Sequence, residues 1–453
     1  MIRFESLKES FNAGKMRPLA NRKTQLKALL RFLCENEQSI YEALKADLCK
    51  PEFETLIAEI GLSRLEIRHA LAHLGKWAEA KRVPTPITQV ISRSWYRYEP
   101  KGVVLILAPW NFPLQLVLSP LVGAISAGNC AIIKPSEHAP ATSHLLTTLL
   151  PKYLDPECFQ VVEGAHDVSH ELLQLPFDHI FFTGSTRIGK IVMQEAAKHL
   201  TPVTLELGGK CPCIVDETAN IALAAKRLLW GKLINSGQVC LAPDFLLVHR
   251  SKTSELIGAL KQTVAKFYTD NVKSSADYTR IVSKEHALRL KSLLTDQQVI
   301  FGGEVDVDGK FMSPTFVLNP PVDSKLMREE IFGPILPIIE YSDTQDILSM
   351  LSQMERPLAM YVFSANPETI RVLSTQTASG AFCINDTVSH VGVLNLGFGG
   401  VGASGFGTYH GEDGFQTFSY KRAYFKKSTW FDLPMRYAPY SRWKSQLAAL
   451  FLR

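Results

Sequence analysis

The run Val103-Val-Leu-Ile-Leu107 constrains this chain most. It is five apolar residues without alternation, set between Pro100-Lys-Gly102 and Pro109. A strand that meets water on one face alternates; one that does not must be covered on both. Similar short apolar runs follow at 130–133, 158–162 and 179–182, separated by helical patterns at 143–150 and 188–199. Strands alternating with helices in this way predict a doubly wound α/β domain on a parallel sheet.

The flanking regions differ in texture. Residues 6–81 read as helices, with one apolar stripe at Leu26, Leu29, Leu30 and Leu33 and a second at Ile57, Ile60, Leu62 and Leu65. After Pro84-Thr-Pro86, residues 89–98 alternate, predicting a projecting β-hairpin arm over 85–104. A second alternating region spans about 206–408 and is followed by a strand-like run at 417–425 and an aromatic, basic tail. The expected organisation is therefore a domain at 1–205 carrying the arm, a second α/β domain at 206–408, and a strand and tail at 409–453.

Composition excludes several classes. A length of 453 residues implies two or three domains, and 46% apolar with 21% charged residues is an ordinary globular mixture. The N-terminus carries no apolar signal core, and no apolar run approaches the roughly 18–20 residues that span a bilayer, so a cytoplasmic protein is expected. The eight cysteines are too sparse for a disulfide framework. Cys211-Pro-Cys213 lacks the second half of a zinc site, and His69/His73 and His166/His170 lack an intervening metal-site glutamate, so no metal is expected. The formal charge of +5 belongs to the tail, where four Lys and four Arg face only Asp432 after residue 420. The body is slightly acidic and gives no sign of nucleic-acid binding.

Several residues stand where chemistry is done. Cys240, in Asn235-Ser-Gly-Gln-Val-Cys240, follows an amphipathic helix (Ile221, Ala225, Leu228, Leu229, Ile234) and precedes a strand beginning at Phe245. A thiol held on a turn suits covalent catalysis, whereas most cysteines simply fill cores. Glu206 lies between two leucines before a double glycine; burial there would raise its pKa as a general base requires, and a strand-edge acid with its head in water is the plainer reading. Asn111, enclosed in Pro109-Trp-Asn-Phe-Pro113, is an oriented amide suited to an oxyanion, or else a helix cap. Gly184, Ser185 and Gly189 form an imperfect glycine-rich strand-to-helix turn, with Thr186 at the middle glycine position. Lys134 and Glu137 leave a buried strand where they either grip a ribose or form a solvated pair. Glu330 and Phe332 stand at a rigid turn that reads in isolation as an ordinary loop.

Together these residues carry a resemblance. PWNFP, KPSE, FTGST, LELGGK, GQVC, EIFGP and FGGVGASG occur in the order seen in NAD(P)-dependent aldehyde dehydrogenases, over about residues 6–440. The short length, Phe11-Asn-Ala-Gly-Lys-Met-Arg-Pro18, Arg356-Pro-Leu-Ala359 and Gly407-Thr-Tyr-His-Gly411 resemble the class 3 branch of fatty, aromatic and coniferyl aldehyde enzymes. The resemblance implies a Rossmann-like cofactor domain, an α/β catalytic domain and a β-arm for oligomerisation, in a homodimer. It implies Cys240 as nucleophile, Glu206 as general base and Asn111 with the Cys240 N–H as oxyanion donors. It places Lys134 and Glu137 at the adenosine ribose, Gly184 to Gly189 with Ser185 at the pyrophosphate, and Trp110, Glu330 and Phe332 along the cofactor. A ribose carboxylate favours NAD, with NADP the other cofactor open to the branch.

The reaction so implied is oxidation of a hydrophobic aliphatic or aromatic aldehyde through a Cys240 thiohemiacetal and thioester. The alternatives are a cofactor-independent cysteine esterase or thioesterase, and a non-catalytic member of the fold. Thr186, Gly397 and Cys211 depart from the branch pattern, and Cys211 adds a second oxidisable thiol beside the Glu206 strand. A helix ending just before Cys240 would raise its pKa, leaving the source of activation open. The tail interleaves Trp430, Phe431, Tyr437, Tyr440, Trp443 and Phe451 with Arg436, Arg442 and Lys444, a pattern suited to an anionic membrane surface or to packing on the partner subunit.

Overall fold

The computed structural model describes residues 2–89, 91–269 and 271–452; Val90, within the expected hairpin, and the side chain of Phe451 lie outside the described residues. Helices occupy Phe4–Asn12, Leu19–Glu35, Glu37–Leu48 and Leu62–Trp77, as the apolar periodicity predicts. The first stripe is buried at Leu26, Leu29 and Leu33. The second departs from expectation: Leu65 is 50% exposed, while Ile60, Ile67, Ala70 and Leu74 face the core. From Ile60 the buried positions Ser63, Ile67, Ala70 and Leu74 recur at regular helical spacing, which leaves Leu65 on the opposite side; a π-helical turn at Leu56–Gly61 precedes this stretch. Its wider turn rotates every later residue relative to a regular helix. Gly61 permits it, because a Cβ there would lie 2.7 Å from the Leu56 carbonyl oxygen.

Two sheets organise the rest. The first has the order Gly405–Phe406, Val203–Glu206, His179–Thr183, Val103–Leu107, Cys130–Lys134, Phe159–Val161. All its pairings are parallel except that of Gly405–Phe406 with Val203–Glu206. The chain winds outward in both directions from Val103–Leu107, so the sheet's switch point lies between that strand and His179–Thr183. Ligands of open sheets bind at the carboxyl ends of strands at such a point. The second sheet runs Val299–Phe301, Thr315–Leu318, Ile335–Tyr341, Phe245–His249, Pro212–Val215, Ala359–Phe363, Ala381–Ile384, and is parallel apart from its first pair.

The boundaries shift accordingly. Strand Val203–Glu206 closes the first sheet, the second occupies 212–384, and Gly405–Phe406 crosses back ahead of the expected break at 409. Only glycine fits that return: Gly405 has φ +119°, and a Cβ would lie 1.9 Å from the Leu205 carbonyl oxygen. The arm is a separate three-stranded sheet of Lys81–Val83, Ser92–Pro100 and Ser419–Lys427. Its hairpin therefore spans 81–100 rather than 85–104, since 103–107 belongs to the first sheet. Trp95 stacks on Tyr424 across it at 5.4 Å.

The buried face makes a direct prediction. Ile67→Ala should cost about 2–5 kcal/mol in denaturant unfolding and Leu65→Ala less than about 0.5 kcal/mol; equal losses would contradict this assignment of the core face.

Candidate active site

Cys240 owes its place to an abrupt stop. The helix Ile221–Leu233 gives way to three consecutive left-handed residues, Asn235 (φ +52°), Ser236 (φ +52°) and Gly237 (φ +74°). Side chains hold this costly backbone in place. The Gln238 amide donates to the carbonyls of Asn235 and Arg280, both at 3.0 Å, and accepts from the Val282 N–H at 2.9 Å. A Cβ on Gly237 would lie 2.4 Å from the Gly333 carbonyl oxygen, so the GQVC and EIFGP loops touch here.

Burial pushes the Cys240 thiol up to about 12; the charges of Glu330 and Glu206 add to this, and the N–H groups of Cys240 and Leu241 oppose it. The preceding helix ends at Leu233, too far back for its terminal dipole to govern the sulfur. Burial, not the helix end, is therefore the obstacle to forming the thiolate. Cys211 donates from its thiol to the Cys240 carbonyl at 3.4 Å and accepts from the Ala359 N–H at 3.4 Å. Burial holds its pKa well above the usual thiol range, so it serves as packing and hydrogen-bonding partner to the catalytic turn.

Asn111 lies at the end of strand Val103–Leu107 and is 3% exposed. One N–H of its amide donates to the Gln238 carbonyl at 3.0 Å. The main-chain carbonyl of Asn111 accepts from Lys50 Nζ at 3.0 Å and from the Asn235 side-chain amide at 2.8 Å. Lys50 in turn pairs with Glu59 at 2.5 Å, both side chains fully buried. The other Glu59 oxygen accepts the N–H groups of Leu114 and Gln115, at 3.1 and 2.9 Å, where the next helix begins. The side-chain amide is thus held through one N–H, and the backbone that carries it is held by two further donors.

Glu206 ends its strand opposite Thr183 and Gly405. It is 3% exposed, and neither carboxyl oxygen has a partner among the described residues. Burial alone raises its pKa well above the carboxylate range. Two cavities meet at Cys240 and Glu206. One, of about 270 Å3, is walled by apolar side chains including Ile57, Phe112, Trp230, Val391 and Phe398. The other, of about 680 Å3, opens at the carboxyl end of the first sheet and brings together Trp110, Asn111, Gly184, Ser185, Glu330 and Phe332.

The larger cleft fits a dinucleotide. Ser185 caps the helix Thr186–Ala197 by accepting the Ile188 N–H at 3.5 Å, presenting the helix N-terminus to the cleft. A Cβ on Gly189 would lie 2.8 Å from Leu207, so this glycine lets the helix close on the sheet. A Cβ on Gly208 would lie 2.2 Å from the Glu330 carboxyl oxygens. That carboxyl is pushed up to about 7, chiefly by burial. Lys134 and Glu137 pair with each other at 2.6 Å. They stand at the end of the neighbouring strand and, like Gly189, are not part of the cleft wall that gathers Trp110, Gly184, Ser185, Glu330 and Phe332. Among the described residues, no group of three or more His, Cys, Asp or Glu side chains could hold a metal ion.

Several supporting residues were not singled out from sequence. Lys210 pairs with Asp244 and donates to the carbonyls of Leu326 (3.0 Å) and Glu329 (2.9 Å), while Asp244 accepts the Ile331 N–H at 2.9 Å. His286 donates to the Phe332 carbonyl at 2.8 Å, and Arg289 to those of Ile331 (2.9 Å) and Glu330. The ring of Trp110 packs edge-on against Phe332 at 5.4 Å. Glu59 carried a readable signal, an acid between Ala58 and Ile60 in an apolar stretch. His286 and Arg289 carried none, because their partners lie far along the chain.

Comparison with known proteins agrees with this geometry. The model of the aldehyde dehydrogenase family matches residues 4–423. Aldehyde dehydrogenase family 3 member A2 of Rattus norvegicus is 43% identical over 450 residues, covering 99% of this chain and 93% of that protein. Family 3 member B1 of Homo sapiens is 44% identical over 437 residues, covering 96% and 93%. A solved structure of Staphylococcus aureus AldH in its substrate-bound state superposes with a TM-score of 0.97 at 42% identity, covering 99% of this chain and 98% of that one. The chain belongs to the aldehyde dehydrogenase family, in its family 3 branch, and is an NAD(P)-dependent oxidoreductase of aldehydes.

Proposed function

We propose that the chain oxidises hydrophobic aliphatic or aromatic aldehydes to carboxylic acids through covalent catalysis by Cys240. The observation that carries this reading is the position of Cys240 and Glu206 in the wall of both cavities, one apolar and one suited to a dinucleotide. An aldehyde enters on the apolar side, where its chain replaces water against Phe112, Trp230 and Phe398. Glu206, whose carboxyl oxygens have no partner among the described residues, takes the thiol proton. Cys240 sulfur bonds to the carbonyl carbon. The second N–H of the Asn111 amide and the Cys240 N–H hold the oxygen as it becomes anionic.

Bound NAD(P)+ supplies the one group the protein lacks, a hydride acceptor. After hydride loss the acyl group remains on Cys240 as a thioester. Glu206, once it has released the thiol proton to solvent, draws a proton from water; the resulting hydroxide displaces the Cys240 thiolate to give the acid, and the thiolate takes that proton back. A carboxyl raised by burial suits both proton transfers. Trp110, Gly184, Ser185, Gly189, Glu330 and Phe332 hold the cofactor, with Lys134 and Glu137 at the outer end. A cysteine hydrolase would need no such cleft.

The arm supports a homodimer, since the outer strand Ser419–Lys427 pairs on one side only in the single chain. The free thiols of the chain support a reducing, cytoplasmic setting. No helix among the described residues is long and apolar enough to cross a membrane. The tail ends in the helix Arg442–Leu452, and Trp430, Tyr440 and Trp443 are 97%, 77% and 58% exposed. Aromatic rings among basic side chains support peripheral contact with an anionic membrane.

Two experiments check these readings. In an NAD(P)H absorbance assay, Cys240→Ala should lower turnover at least about a thousandfold and Asn111→Ala about a hundredfold; full activity in either would contradict its role. Full-length protein should co-sediment with phosphatidylserine vesicles at low salt, and a chain lacking residues 428–453 should not. Absence of binding by the full-length protein would assign the tail to the partner subunit instead.

A further inference from the structure

Glu54, on the short helix Glu52–Thr55, takes no part in the reaction just described, yet it reaches the catalytic turn. One carboxyl oxygen accepts the main-chain N–H of Asn235 at 2.5 Å, and the other accepts the Thr279 hydroxyl at 3.2 Å. Asn235 is fully buried and left-handed at φ +52°, a conformation unfavourable for a residue with a Cβ. From that conformation its amide donates to the Asn111 carbonyl at 2.8 Å and to the Gln238 carbonyl at 3.2 Å. The Asn111 amide donates to the same Gln238 carbonyl at 3.0 Å. A continuous chain of hydrogen bonds therefore runs from the Glu54 carboxylate to the oxyanion amide.

We propose that Glu54 is a positioning residue for the oxyanion site, its carboxylate fixing Asn235 and, through it, Asn111. This rests on the roles of Cys240 and Asn111 set out above. A hydrogen bond to a charged acceptor is roughly twice as strong as one to a neutral acceptor. The clamp is therefore tightest when Glu54 is ionised. Burial lifts its carboxyl to about 7; Lys50 and the donors from Asn235 and Thr279 oppose the lift, and Glu59 adds to it. The other titratable groups facing it are the phenols of Tyr268 and Tyr278, both kept protonated chiefly by burial. The clamp thus strengthens as pH rises through neutrality. Ionisation of a carboxyl with a raised pKa also lowers folding stability over the same range, so tighter positioning comes with a less stable fold.

The test compares wild type, Glu54→Gln, Glu54→Ala and Asn111→Ala at pH 6 and pH 8, with octanal and NAD(P)+ as probes and the unfolding midpoint of each variant recorded. Glu54→Ala should lower kcat about tenfold at pH 8 with KM for the cofactor unchanged. Glu54→Gln keeps an acceptor without the charge. It should match wild type at pH 6 and fall about fivefold behind at pH 8. Should Glu54→Ala not fold, the wild-type to Glu54→Gln ratio carries the test alone. A ratio that stays flat between the two pH values overturns the proposal. So does wild-type kcat in Glu54→Ala at pH 8 alongside an impaired Asn111→Ala. Full activity in Asn111→Ala would instead remove the oxyanion reading itself, and the proposal with it.

Discussion

The reaction centre hangs on the buried pair of Lys50 and Glu59. Their side chains are fully buried and 2.5 Å apart. Removing one member of such a pair costs about 3–5 kcal/mol, because the other charge is left uncompensated. An exposed pair such as Arg371–Glu368, with both side chains more than 60% exposed, is screened by water and adds little. The buried pair does more than stabilise. Lys50 also holds the Asn111 carbonyl and lies 4.3 Å from the centre of the Phe112 ring. Glu59 caps the start of the helix that follows the same loop. One ion pair thereby fixes the N-terminal helices, the loop carrying Asn111 and, through Asn235, the turn before Cys240.

Much of this was legible in the sequence because the signals are local. Five unalternated apolar residues at Val103–Leu107 were enough to imply a two-sided sheet, and all five are buried. The turn after the helix Ile221–Leu233 was readable from Asn235-Ser236-Gly237, which adopt left-handed backbone as a consecutive set. Ordered motifs carried the family. What failed was geometry that depends on one residue or on distant partners. The core face of the helix Leu62–Trp77 runs through Ser63, Ile67, Ala70 and Leu74, not through Leu65 as the apolar stripe suggested. The return of Gly405–Phe406 to the first sheet is a pairing across some two hundred residues, which no local pattern announces. Lys134 and Glu137, which sequence left as ribose contacts or a solvated pair, lie at a strand end and pair with each other at 2.6 Å.

Burial sets the chemistry as well as the fold. Desolvation is the largest influence on Cys240, Glu206 and Glu330, and it favours the neutral form of each. For the carboxyls this brings proton affinity toward the range a base or acid needs near neutral pH. For the thiol it opposes activation, so a proton acceptor must stand close. Glu206 lies in the wall shared by both cavities and is the acceptor proposed above. On that proposal, the apolar walls that exclude water produce both the difficulty at Cys240 and its remedy at Glu206.

The central claim is that the acyl group passes through Cys240. It is tested most directly by mixing Glu206→Gln with a hydrophobic aldehyde and cofactor, quenching in acid, and mapping the adduct by peptide mass spectrometry. With the hydrolytic base removed, an acyl mass should accumulate on the peptide containing Cys240. Turnover without any Cys240 adduct, or an adduct confined to another residue, would contradict the account.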